Sequence, residues 1–155
     1  MDLGLEGKTA LVLGGSQGLG LGVARALLGE GAQVMISSRS AEALETARDG
    51  LPASLRERCH VVAADLGDPA APGEIAAAAR RAMGDVDILV NNSGGPPPGP
   101  PSGVSPEEMA SQFDKMVRPL LALTLDLLPA MRRRGWGRIL TIASSGVLQP
   151  IPHLP

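Results

Sequence analysis

Two runs of residues in this chain have the types and spacing that chemistry requires. The first is Leu13-Gly14-Gly15-Ser16-Gln17-Gly18-Leu19-Gly20, which follows an apolar run and opens a helical pattern. Glycines let a backbone turn tightly and approach a ligand, while the N-terminus of a helix attracts anions. The run therefore predicts a diphosphate-binding turn, whereas a plainer interpretation makes it only a tight structural turn. Its spacing is Gly-x-x-x-Gly-x-Gly, not the more familiar Gly-x-Gly-x-x-Gly.

A cation follows the second apolar run, in Ser37-Ser38-Arg39. An acid at this point, about 20 residues beyond the glycines, would bind a ribose hydroxyl and select NAD. No acid is there, and an arginine suits a 2′-phosphate through charge-assisted hydrogen bonds. This favours NADP over NAD, and the alternative is a solvated arginine at the start of a helix.

The second chemical run delivers Ser144, with its neighbour Ser145, out of an apolar segment. A serine hydroxyl in such a place works with a base or an acid. The chain has no tyrosine and a single cysteine, Cys59. One cysteine cannot form an internal disulfide, so we expect Cys59 to be a reduced, structural thiol without a catalytic role.

The elements that must position these residues alternate between apolar runs and helical patterns, as in a parallel sheet covered on both faces. The predicted strands are Thr9 to Leu13, Gln33 to Ser37, His60 to Ala64, Asp87 to Asn91 and Arg138 to Ala143. We therefore predict an α/β fold and a single domain over residues 1–155.

Helix signals lie between these strands. The first helix, Gly18 to Gly29, has Leu19, Val23 and Leu27 on one face, with Gly31 as its C-cap. The second begins behind Ser40 and runs towards Gly50. The third has Asp68 as N-cap and Pro69 in its first turn, with Ile75, Ala79, Ala82 and Met83 as its buried stripe.

The fourth helix opens on Ser105-Pro106-Glu107-Glu108, a capping box, and carries Met109, Phe113, Met116 and Leu120 at helical spacing. Pro119 should kink or break it. The proline-rich run from Gly94 to Pro101 predicts a stiff surface loop, or a ligand for an SH3-like partner.

Composition excludes several partners. A net charge of −2 gives no footprint for nucleic acid. The chain opens on no secretory signal, and the stretch from Pro119 to Met131 is too short and too polar to span a bilayer. We expect a cytoplasmic protein that contacts neither nucleic acid nor membrane and holds no metal.

In combination, these residues resemble the short-chain dehydrogenase/reductase family, most closely its 3-oxoacyl-carrier-protein reductase-like members. The resemblance rests on the glycine run, on Asp65, on Asn91-Asn92-Ser93-Gly94, and on the run from Gly137 to Ser145. It implies a Rossmann-type, doubly wound parallel sheet of three layers, with strand order 3-2-1-4-5 as far as the chain goes and incomplete at its C-terminal side.

The resemblance also implies roles for single residues. Asp65 and Leu66 would flank the adenine, although Asp65 can equally be a turn residue. Asn92, Ser93 and Gly94 would line the nicotinamide side, although Asn92 can also simply tie down backbone groups. The glycine-turn residues Gly14, Ser16, Gln17, Gly18, Leu19 and Gly20 would hold the diphosphate, with Ser38 and Arg39 at the ribose.

The implied reaction is NADP-dependent interconversion of a carbonyl and an alcohol, with Ser144 bonding the carbonyl oxygen. The family's proton donor is a tyrosine activated by a lysine in Tyr-x-x-x-Lys, and it would fall two positions past Pro155. We therefore expect these 155 residues alone to be inactive. The alternative is a nucleotide-binding protein that has lost catalysis and acts as a sensor or partner subunit.

Two departures from the family pattern concern the fourth helix and the fifth strand. Met116-Val117-Arg118 stands where the family usually has an asparagine that anchors a water, and Arg118 would hold a water or a substrate carboxylate, or lie at a surface or interface. The fifth strand should form an exposed apolar edge. We expect a homo-oligomer, dimer or tetramer, and expect the chain alone to aggregate or dimerise through this strand and the fourth helix.

Overall fold

The computed structural model describes residues 3–144, 146, 148 and 149. Within them, five parallel strands form one sheet in the order β3-β2-β1-β4-β5. The strands are β1 (Thr9–Leu13), β2 (Gln33–Ser38), β3 (Cys59–Ala63), β4 (Ile88–Asn91) and β5 (Arg138–Thr141). The predicted Rossmann-type order is confirmed. All five carboxyl ends therefore meet at one edge of the sheet.

Helices connect the strands and cover the sheet. They are α1 (Gly18–Gly29), α2 (Ala41–Asp49), α3 (Ala53–Arg56), α4 (Ala71–Met83), α5 (Pro106–Met116) and α6 (Arg118–Arg133), with a 3₁₀ turn at Pro101–Gly103. The sequence patterns predicted α1, α2, α4 and α5, with a kink or break at Pro119; they did not give the short α3, the 3₁₀ turn or the bounds of α6. None of the described helices is long and apolar enough to cross a bilayer.

Apolar side chains pack on both faces of the sheet, because successive strand residues point to opposite faces. On one face Val12 shares a core cluster with Leu28 of α1. On the other face Leu11 shares a second cluster with Ile75 of α4 and Leu123 of α6. The result is the predicted three-layer arrangement, with β1 at its centre and fully buried.

The expected inward face of α1 is wrong at Leu19, which is 72% exposed. The buried positions are Gly20, Ala24 and Leu28, one residue further along the helix. Position 20 faces inward because the helix approaches the preceding turn too closely for any side chain there. The predicted C-cap is confirmed, since Gly31 has a φ of 90°.

The expected start of α4 is also wrong. The helix begins at Ala71, and the carboxylate of Asp68 instead accepts a hydrogen bond of 2.9 Å from the Ala70 amide. Asp68 thus closes a side-chain turn before the helix, a local bond that aspartate makes readily. Along α4, Ile75 and Ala79 are buried as predicted, whereas Ala82 is exposed.

The break between α5 and α6 falls at Val117, two residues before Pro119, which lies in the first turn of α6. This confirms the break expected from Pro119. The capping box is confirmed too: the Glu108 amide donates to Ser105 Oγ (3.1 Å), and the Ser105 amide donates to Glu108 Oε2 (3.0 Å). The run 94–100 contains no helix or strand, as predicted.

One strand differs from the rest in its exposure. β5 lies at the edge of the sheet with all four residues exposed, including Ile139 (39%) and Leu140 (50%). The predicted exposed apolar edge is confirmed. Before the amino end of β5, the ring of Trp136 contacts two cations, with its centroid 4.4 Å from Lys8 Nζ and 4.8 Å from the guanidinium of Arg138.

Candidate functional site

The turn between β1 and α1 is built from glycines whose conformations other residues rarely adopt. Gly14 and Gly18 have φ values of 59° and 55°, in the left-handed region. The Gly15 amide donates to the Ser37 carbonyl (3.0 Å), which holds the turn against the end of β2. A Cβ on Gly15 would lie 2.7 Å from the Ile36 side chain, so the turn packs closely on the sheet.

Asn92 ties this turn to β4. Its side-chain amide donates to the Gly14 carbonyl at 3.4 Å. A Cβ on Gly14 would lie 2.6 Å from the same amide nitrogen, and a Cβ on Gly20 would overlap the Gly14 carbonyl. The three residues therefore occupy a space that admits no further side chain.

The first turn of α1 points its free backbone amides along the carboxyl edge of the sheet. Gln17 is its N-cap, in extended conformation and without a side-chain capping bond. The first backbone bond after it runs from the Leu21 amide to the Gln17 carbonyl, so the amides of 18–20 have no partner within the helix. With no acidic residue in the first turn, the site is suited to an anion.

A crevice of about 600 Å³ runs beside this turn, at the carboxyl edge of the sheet. Ten of the residues predicted for a cofactor line it: Gly14, Ser16, Gln17, Ser38, Arg39, Asp65, Leu66, Asn92, Ser93 and Gly94. The predicted residues Gly18, Leu19, Gly20 and Ser144 do not line it. Gly20 packs closely against Gly14, which does line the crevice.

Arg39 stands at the end of β2, exposed and lining the crevice. Among the described residues it forms no ion pair or hydrogen bond. Its neighbours are occupied: Ser38 Oγ donates to the Ser40 carbonyl (3.3 Å), and Ser40 Oγ caps α2 by accepting from the Ala43 amide (3.1 Å). Arg39 therefore offers an uncommitted guanidinium to the crevice.

Asp65 and Leu66 follow β3, beside Arg39. Asp65 Oδ1 accepts a hydrogen bond from the Gly67 amide (2.9 Å), and the Asp65 carbonyl accepts one from the Asp68 amide (2.9 Å). Asp65 therefore has the turn role that the sequence left open, and it also lines the crevice.

Part of the crevice lining comes from α5, where the sequence analysis related only the Met116-Val117-Arg118 region to the site, through the family resemblance. Gln112, Lys115 and Met116 line it. Their spacing of i, i+3 and i+4 puts them on one helical face. That spacing was the available signal, but it does not say which face of α5 meets the crevice.

Ser144 follows β5 at the carboxyl edge, exposed and outside the lining of the crevice. Its Oγ accepts a hydrogen bond from the Gly146 amide at 3.0 Å. This bond occupies a lone pair and leaves the hydroxyl proton free to donate. Ser145 lies outside the described residues.

Two further candidate residues, Arg118 and Cys59, lie outside the lining of the crevice. Arg118 is paired with Asp114 at 2.8 Å and is largely exposed, in agreement with a surface role. Cys59 is buried, and burial raises the pKa of its thiol to about 11. Within the described residues, no cluster of His, Cys, Asp or Glu could hold a metal ion.

Comparison with known proteins matches residues 8–155 to the short chain dehydrogenase family. An uncharacterized oxidoreductase of Mycobacterium tuberculosis is 37% identical over 142 residues, which are 91% of this chain and 54% of that protein. A 2,3-dihydroxy-2,3-dihydro-p-cumate dehydrogenase of Pseudomonas putida is 35% identical over 150 residues, which are 97% of this chain and 58% of that protein. The chain thus spans little more than half the length of the curated relatives it matches.

Solved structures agree with this relationship. The L-sorbose reductase of Gluconobacter frateurii, complexed with NADPH and L-sorbose, superposes with a TM-score of 0.90 at 32% identity, over all of this chain and 59% of that one. The 3-ketoacyl-(acyl-carrier-protein) reductase of Brucella melitensis, complexed with NADH, gives a TM-score of 0.84 at 33% identity, over 97% of this chain and 62% of that one.

Proposed function

This chain belongs to the short-chain dehydrogenase family, and from that premise we propose that its crevice binds NADP(H) for the interconversion of a small carbonyl compound and its alcohol. The observation that supports the proposal is that Ser16 and the N-cap Gln17, at the start of α1, line the same crevice as the uncommitted Arg39. Both anionic groups of NADP, the diphosphate and the 2′-phosphate, would then have a partner along the crevice.

The residues present fit such a cofactor. At about 600 Å³, the crevice lies within the range of cofactor sites. Gly14 lines the crevice without a side chain, and a Cβ on Gly14 or Gly20 would displace Asn92 or the Gly14 carbonyl. Bound nicotinamide would supply the hydride.

NADP is favoured over NAD because of the charge at the end of β2. Ser37, Ser38 and Arg39 occupy the end of that strand, so no carboxylate is available there to bind the two ribose hydroxyls. A planar guanidinium can form paired hydrogen bonds with a phosphate instead. Of the similar solved structures, one is complexed with NADPH and another with NADH. The preference for NADP is therefore argued from the residues of this chain alone.

The experiment is a fluorescence titration of the protein with NADPH and with NADH. Arg39→Met keeps the length of the stem and removes the charge. We expect it to weaken NADPH binding by about tenfold or more, since charge-assisted hydrogen bonds are worth about 1.5–3 kcal/mol, and to leave NADH binding within about twofold. Equal affinities of the unaltered protein for both cofactors would contradict the preference for NADP.

Ser144 is the proposed substrate ligand. Its Oγ accepts from the Gly146 amide, so its proton can be donated to a carbonyl oxygen. Such a bond positions the carbonyl and stabilises negative charge that develops on its oxygen. These 155 residues contain no tyrosine, so they do not themselves hold the proton donor that the family resemblance implies.

A second function, cofactor binding without turnover, is favoured by Met116. This apolar residue lines the crevice in the region where the family resemblance implies an asparagine of the proton relay. A thioether cannot anchor a water as an amide does. NADPH binding without carbonyl reduction by these 155 residues fits both functions, since they hold no tyrosine. Reduction of any small carbonyl compound would exclude the sensor or partner role.

We also propose a homo-oligomer in the cytoplasm. Exposed apolar side chains recur every four residues along α5 and α6: Met109 (62%), Phe113 (51%), Leu121 (53%) and Leu125 (59%), with Val117 (45%) at the junction. Exposed apolar residues that recur in this way favour an interface. A second copy of the chain would cover it symmetrically.

A further inference from the structure

Lys115 lines the same crevice as Arg39. Its Cγ lies 3.8 Å from the position that a Cβ would take on Gly67, in the turn after β3. The aliphatic stem of Lys115 therefore lies beside the turn that follows β3, on the other side of β2 from the glycine turn that follows β1.

The ammonium of Lys115 has no partner among the described residues. Asp114, its neighbour in sequence, pairs with Arg118 at 2.8 Å. Asp65, the acid in the lining of the crevice, accepts its hydrogen bond from the Gly67 amide. Two cations, Lys115 and Arg39, thus line one crevice without an ion pair of their own, an arrangement that an anionic ligand would stabilise.

We propose that Lys115 is a cofactor-specificity residue that binds the phosphate on the adenosine ribose together with Arg39. The inference rests on the proposed NADP-binding function. The two side chains contribute differently: Arg39 offers a planar fork from β2, and Lys115 offers a mobile point charge from α5. Because α5 also carries the exposed apolar stripe, the residue joins the cofactor site to the face proposed for oligomerisation.

The position of β3 supports the choice of this phosphate over the diphosphate. Ser38 of β2 pairs with Ala63 of β3, so Arg39 and the turn at Asp65–Gly67 leave adjacent strands side by side. The glycine turn leaves β1, on the other side of β2. A cation over Gly67 is therefore placed to act on the adenosine half of the dinucleotide.

The test compares Lys115→Met, which keeps the stem and removes the charge, with Lys115→Arg, which keeps the charge. Arg118→Met is the matched control, because it removes a cation three residues away that pairs outside the crevice. NADPH and NADH dissociation constants are measured by fluorescence titration for each variant, and thermal melts check that each folds.

We expect Lys115→Met to weaken NADPH binding about tenfold and NADH binding less than about twofold, with Lys115→Arg within about threefold of the unaltered protein. Arg118→Met should leave both constants unchanged. Equal weakening of both cofactors by Lys115→Met would overturn the assignment to the ribose phosphate, and so would no weakening at all. If the unaltered protein binds neither cofactor, the proposed function itself fails.

Discussion

The side-chain amide of Asn92, at the end of β4, donates a hydrogen bond of 3.4 Å to the main-chain carbonyl of Gly14, at the end of β1. This bond fixes the start of the glycine turn to the neighbouring strand. It also assigns Asn92 the structural role that the sequence left open, while the same side chain lines the crevice.

Removing that donor should loosen the turn. We expect Asn92→Ala to lower the free energy of unfolding by about 1 kcal/mol, the usual value for one hydrogen bond, and to weaken NADPH binding. Asn92→Asp should weaken binding further, because its carboxylate faces the Gly14 carbonyl and repels phosphate. Urea melts and NADPH titrations measure the two effects; stronger binding by the aspartate variant would contradict this account.

Gly20 and Gly22 provide a matched pair in α1. A Cβ on Gly20 would overlap the Gly14 carbonyl, whereas a Cβ on Gly22 has nothing within 4 Å. Gly20→Ala should destabilise the protein by about 1–3 kcal/mol through overpacking and weaken NADPH binding at least about tenfold. Gly22→Ala should stabilise it by about 0.5–1 kcal/mol, since alanine favours a helix, and leave binding unchanged.

Thermal melts with and without NADPH distinguish these two variants. If the two variants have the same stability and the same affinity for NADPH, the close approach of α1 to the glycine turn is not the reason why residue 20 must be glycine.

The pH dependence of stability should depend in part on His60. Burial, with the nearby Arg48 charge, lowers the pKa of His60, and its buried Nε2 has no partner among the described residues. As pH falls below about 6.5, His60 becomes protonated in the unfolded chain while it stays neutral in the folded chain. The unfolded state then binds more protons, so stability falls with falling pH.

Urea melts between pH 7.5 and 5.5 measure this effect. His60→Gln, which cannot gain the charge, should show a shallower decline over this range than the unaltered protein. Identical slopes for the two proteins would show that other groups control the dependence.

The single thiol should be inert in the folded protein. Cys59 is 5% exposed, and burial raises its pKa from 9.0 to about 11, with smaller opposing effects from Arg48 and Glu45. At pH 8 its thiolate fraction is then about a hundredfold lower than in the unfolded chain. We expect a disulfide reagent to label it slowly until urea unfolds the protein; rapid labelling of the native state would contradict its burial.

The apolar stripe on α5 and α6 makes a prediction about assembly. Leu121→Arg places a charge within the stripe, where a symmetric partner would place a second one opposite or nearby. We expect the dimer dissociation constant to rise at least about tenfold by sedimentation velocity. Ala122→Arg, exposed one position off the stripe, is the control and should leave assembly intact. A monomer at all concentrations would overturn the proposed oligomer.

The sequence predicts those features of the fold whose signals lie within a few neighbouring residues. Uninterrupted apolar runs identified all five strands, and the Ser105 capping box located the start of α5, because those signals lie within a few residues. Strand ends moved by one or two residues: β3 begins at Cys59 and not at His60, and β5 ends at Thr141.

Errors occurred where tertiary contact decides. Leu19 suited an inward helical face by spacing alone, but the close packing of Gly20 on Gly14 turned the helix. Lys115 carries no local sign of a site, since its place in the crevice depends on how α5 packs across the end of β3. The extent of the domain over residues 1–155 and the role of each candidate binding residue stay predictions.

The contacts of Trp136 with Lys8 and Arg138 give the protein a built-in optical reporter. It is the one indole of the chain, and it precedes β5, at the end of the sheet remote from the crevice. Its fluorescence should therefore change when the chain unfolds and the indole loses its two cationic neighbours. Binding of NADPH is followed separately, through the fluorescence of the dihydronicotinamide ring. Folding and occupancy can thus be recorded from one sample without labels.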